Sequence, residues 1–127
     1  MRLLILLTLL TLIASVVTAQ TPAPAPNAAP RGNVENGRKI YVTYGCYQCH
    51  GYAAHGGAGG DSLRGGPRIA PRPIAFPAFS KYVRQPTDQM PPYTQKVASD
   101  QDLADIYAWL LTMPEPPPVS SIPQLKN

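Results

Sequence analysis

The tightest constraint in this chain is the pentapeptide CYQCH at residues 46–50, because Cys46 and Cys49 are the only cysteines among 127 residues. Within one helical turn Cys46 and Cys49 stand at i and i+3, and Cys46 and His50 at i and i+4. Both thiols and the imidazole therefore leave the backbone on one side. Whatever they meet must be one rigid object. The chain around the motif is also too small to fold well without help. Residues 1–19, MRLLILLTLLTLIASVVTA, join Arg2 to an apolar run that ends on Val17-Thr18-Ala19, the pattern of a secretory signal peptide cleaved before Gln20. Residues 20–32 read as an Ala/Pro-rich linker and residues 114–127 as a Pro-rich tail, neither with enough apolar surface to order itself. The domain expected over 33–113 is about 80 residues long, a size at which a core needs a staple, a metal or a cofactor.

Three helices are legible in that domain. Val34, Gly37, Tyr41 and Tyr44 recur at helical spacing, with Asn33 as the N-cap and Gly45 as the stop before the motif. Gly37 costs about 1 kcal/mol against Ala in a helix interior, which points to a second helix passing closely over it. The partner is residues 99–113, SDQDLADIYAWLLTM. Ser99 and Asp102 make a capping pattern, and Leu103, Ile106, Tyr107, Leu110 and Leu111 form the apolar face before Pro114 ends it. A shorter helix runs from Pro77 through Phe79, Tyr82 and Val83 to Gln85, before Pro86. The segment between the motif and this helix holds too much Gly and Pro for strands, so the expectation is an all-α domain whose long loops wrap something.

The motif says what. C-x-x-C-H is the attachment signal of c-type haem: two vinyl groups take the thiols as thioethers while His50 reaches the iron. A structural zinc site would need four ligands, and only His55 remains beyond Cys46, Cys49 and His50 among the usual nitrogen and sulfur donors. A thioredoxin-like pair would want a βαβ setting, and a plain exported disulfide leaves His50 unexplained.

With Gly37 and Tyr41 before the motif, Gly66-Pro67 after it, then Met90-Pro91-Pro92-Tyr93 and the helix around Leu103, Tyr107 and Leu110, the chain resembles a class I c-type cytochrome, a small bacterial monohaem one. The likeness spans about residues 33–113. It implies the cytochrome c fold, about three helices and long loops around one covalent haem c per chain. It also implies that the Pro67 carbonyl accepts a hydrogen bond from His50, and that Met90 is the second axial ligand of the iron. Reach agrees on Met90. His55 follows His50 by five residues, which span at most about 17 Å, whereas the longer stretch to Met90 can encircle a macrocycle. Met113, at the end of the last helix, is expected to pack. The resemblance does not designate the propionate donors; Arg72, Tyr52 and Tyr93 are candidates, and Trp109 is expected in the core.

A His/Met pair leaves no open iron position, so the expected work is electron transfer, not catalysis, in the periplasm. Two histidines, one on iron, offer little acid–base equipment. The chain is formally +4, Arg2 included, and Arg64, Arg68, Arg72, Lys81 and Arg84 face only Asp61 between residues 61 and 86. Such a cluster would steer an acidic redox partner; nothing points to nucleic acid. One alternative is the haem subunit of a larger periplasmic dehydrogenase. Another is a peroxidase or gas sensor with a labile Met90. A membrane enters only if residues 1–19 stay uncleaved, since Leu3–Ala19 is near the lower limit of about 17–25 residues for a spanning helix.

Overall fold

The computed structural model describes residues 28–57 and 65–125. The expected signal peptide 1–19, most of the linker, Asp61 and Arg64 lie outside the described residues. Among those described, the chain forms four α-helices and no strand: α1 (Val34–Thr43), α2 (Tyr47–His50), α3 (Phe76–Arg84) and α4 (Asp100–Thr112). Two short 3₁₀ turns follow, Val119–Ser121 and Pro123–Leu125, so the described tail has local structure of its own. No described helix is long and apolar enough to cross a membrane.

The caps fall where the sequence puts them. Asn33 accepts a hydrogen bond from Asn36 N at 2.9 Å, and Ser99 and Asp102 form a reciprocal capping box at the start of α4. α3 begins at Phe76, one residue before the expected Pro77, and ends at Arg84.

α1 and α4 cross at Gly37. A Cβ added there would lie 1.9 Å from the Asp105 carbonyl oxygen, so only a glycine lets the two backbones meet. Beside the crossing, the Tyr41 and Trp109 rings pack 4.6 Å apart. α3 joins through Phe79, while Phe76 meets Tyr107 edge-on. Leu103, Ile106, Tyr107 and Leu110 are buried as expected, and Trp109 is in the core.

Three residues assigned to apolar faces are turned outward: Leu111, Val34 and Tyr82. Each sits at the margin of its helix's stripe, where only α1 or α3 is available to cover α4 and the reverse.

The crossing is bolted by a buried charge that apolar periodicity does not reveal. Asp105, 3% exposed, accepts from Asn33 N at 2.8 Å, Asn36 Nδ2 at 2.7 Å and Gln101 Nε2 at 2.8 Å. It therefore stands at the N-terminus of α1, where the helix dipole favours an anion. The last residues of the expected linker take part as well. Ala29 packs against the core, and Gln101 Nε2 donates to Arg31 O at 3.1 Å, so the packed unit begins before residue 33.

Candidate functional site

α2 is a single turn, entered from Cys46, whose own backbone is already helical. His50 N donates to Cys46 O at 3.0 Å, closing the turn that carries the three motif side chains. The turn is tied to α1 by Tyr41, whose hydroxyl donates to Gly51 O at 2.8 Å. Burial pushes the Tyr41 hydroxyl up, so it stays a neutral donor.

Behind α2, Gly57, Gly66 and Pro67 are laced onto the motif. Gly66 N donates to Cys49 O at 2.8 Å, and Gly57 N to Gly66 O at 3.2 Å. This lacing brings the Pro67 carbonyl oxygen to 2.8 Å from His50 Nδ1. A carbonyl can only accept, so Nδ1 carries the proton and the Nε2 lone pair is left free for a metal. Gly66 makes room for the ring: a Cβ there would stand 2.8 Å from both Cε1 and Nδ1 of His50.

In front of α2 lies a narrow, partly open cleft of about 40 Å³ between α1, α3, α4 and the loop after α3. Cys46, His50 and Met90 line it, among apolar side chains that include Ile69, Phe79 and Leu103. Tyr93 also lines it and donates through its hydroxyl to Tyr44 O at 2.8 Å. Cys49 is exposed and does not line the cleft, and Pro67 acts on His50 from behind. Met113 packs against the core without reaching the cleft, and His55 Nε2 donates to Pro114 O at 2.8 Å, away from it.

The donor set fits a haem. One imidazole with its lone pair free, one thioether and the Cys46 thiol converge on apolar walls, and the Cys49 thiol is unbonded and exposed on the same turn. Burial pushes the Cys46 thiol up to about 11, which keeps it from acting as a thiolate nucleophile at neutral pH. Among the described residues no three of His, Cys, Asp and Glu gather as a bare metal site would require.

Of the propionate candidates, Tyr52 is 70% exposed and stacks on Tyr47, Arg72 pairs with Glu115, and only Tyr93 faces the cleft. Two acids offset part of the described basic cluster. Arg68 lies 3.5 Å from Glu115, the acid that Arg72 also binds, and Arg84 pairs with Asp100 at 2.7 Å. Both acids come from outside the segment 61–86, so a count within it leaves them out.

Sequence reasoning missed the inward role of Arg84, whose guanidinium donates to Tyr93 O at 2.7 Å and Ala98 O at 2.6 Å. Its partners are carbonyls from the chain after its own helix, so no local pattern marked it. A family model described as cytochrome C oxidase, cbb3-type, subunit III matches residues 32–110. No curated protein matches the chain.

Proposed function

Because the chain belongs to this family of c-type cytochromes, whose members bind haem c covalently, we propose that it is a periplasmic single-electron carrier with His50 and Met90 as the axial iron ligands. The observation that carries this reading is the meeting of Cys46, His50 and Met90 on one apolar cleft, with His50 Nδ1 held by Pro67 O at 2.8 Å. Bound haem c supplies one-electron exchange between ferrous and ferric iron.

The residues do the rest. Cys46 and Cys49 would hold the macrocycle as thioethers. His50 would bind through Nε2, its tautomer and ring angle set by Pro67 and by the space at Gly66. Met90 would supply a neutral thioether, which favours the ferrous state and raises the potential. Apolar walls from α3 and α4 would keep water from that side. With His50 and Met90 both holding the iron, a substrate would have no place on it.

The experiment is a pair of substitutions. Met90→Ala should lose the weak far-red absorption of thioether-bound ferric haem and lower the reduction potential, and Met113→Ala should do neither. Loss of the band in Met113→Ala with its retention in Met90→Ala would reverse the assignment. The matched family's description names a subunit of an oxidase, which favours a second reading: the chain as the haem c subunit of a larger redox complex, a dehydrogenase included. Co-purification with a catalytic chain from the native periplasm separates a subunit from a free carrier.

A further inference from the structure

Met90 sits in a stretch without regular secondary structure between α3 and α4, and prolines 86, 91 and 92 do not by themselves fix where its sulfur points. The segment 85–92 makes few bonds to the body of the domain; Thr87 meets Tyr82, at 3.0 Å between hydroxyls, and its neighbour Asp88 at 3.3 Å. What closes it is the end of α3. Tyr93 N donates to Val83 O at 3.0 Å, so the segment leaves α3 and returns to it within one loop.

Arg84 occupies that closure. Its Nη1 donates to Tyr93 O at 2.7 Å and to Ala98 O at 2.6 Å, and its Nη2 to Asp100 Oδ1 at 2.7 Å. Its side chain is 18% exposed, against 70% for Asp100. One planar guanidinium thus joins the C-terminus of α3, the far side of the Met90 loop and the start of α4. The fork is what makes this possible, since a lysine ammonium on the same helix position cannot present donors in three fixed directions.

We propose that Arg84 is the positioning residue of Met90: it holds the 85–99 loop shut, so that the thioether stays on the cleft. This rests on Met90 being an axial ligand. The two bonds to carbonyl oxygens do the holding, and the exposed ion pair with Asp100 adds little. A purely structural arginine would lower the melting temperature without selectively opening the sixth position. A positioning arginine governs how often the loop opens in the folded protein.

The test measures the rate of cyanide binding to the ferric holoprotein, beside its far-red band and its helical circular dichroism. Arg84→Gln should bind cyanide at least about tenfold faster than wild type, the loss expected of one charged hydrogen bond, with the helical signal retained. Met90→Ala sets the ceiling. Arg84→Lys should fall between wild type and Arg84→Gln, and it carries the test by itself if the glutamine variant does not fold. Asp100→Asn should stay within about twofold of wild type. A wild type that shows the band, with folded Arg84 variants binding cyanide at its rate, overturns the inference and leaves the axial assignment standing. A wild type without the band, binding cyanide as fast as Met90→Ala, overturns both.

Discussion

Asp105 shows how a single residue sets the register of two helices. Burial pushes its carboxyl up, but hydrogen bonds from Asn36, the Asn33 amide and Gln101 outweigh it and hold the group below the usual carboxylate range. A carboxyl depressed on folding contributes stability that is present above its unfolded value, near 3.8, and is lost as pH falls through the lower folded value. Asp105→Asn should therefore cost about 1–3 kcal/mol at neutral pH. The gap to wild type should narrow below about pH 4, where the unfolded carboxyl protonates. Urea denaturation at a series of pH values measures this, and a pH-independent gap would mean that the carboxylate charge is not what Asn33 and Asn36 recognise. The motif residues were legible in the sequence because short spacing carries their geometry, whereas the Gly66-Pro67 pair was singled out only through the resemblance to c-type cytochromes. Asp105 and Arg84 were not legible, since their partners are carbonyls and amides supplied by other elements. Nothing in a local pattern marks an acid as buried when its neighbours in sequence are polar.

The elements themselves followed from periodicity and caps. Asn33, Ser99 and Asp102 cap as read, and the crossing over Gly37 follows from a glycine kept inside a helix against its propensity. The margins of the stripes were misjudged, as Leu111 shows at 54% exposure, because a period says which side of a helix is apolar but not how wide its neighbour is. The crossing makes a prediction of opposite sign to helix propensity. Gly37→Ala would gain about 1 kcal/mol in an isolated helix. Here the Cβ meets the Asp105 carbonyl, so overpacking should give a net loss of about 1–3 kcal/mol in chemical denaturation. A melting temperature at or above that of wild type would show that the helices part there at no cost. The loop after α3 was the least legible element: its prolines are visible in the sequence, but the closure through Val83, Arg84 and Tyr93 is a tertiary fact.

At the scale of the whole molecule, two crossed helices, one short helix and a folded-back loop leave a cleft where a larger protein would put side chains. Haem c completes that core, which is why so short a domain can keep a stable fold. The tail is bound to the same body: His55 meets Pro114, and Glu115 gathers Arg68 and Arg72 beside the Pro67 carbonyl that faces His50. Glu115 and Asp100 offset part of the charge of Arg68, Arg72, Lys81 and Arg84. The central claim is that this chain fills both axial positions of its haem and so moves electrons without binding substrate. Its most direct test is carbon monoxide added to the reduced wild-type protein at neutral pH, followed by absorption. The account predicts an unchanged spectrum for wild type and prompt carbon monoxide binding for Met90→Ala. Prompt binding by the wild type would contradict it and make the haem an open catalytic or sensing site.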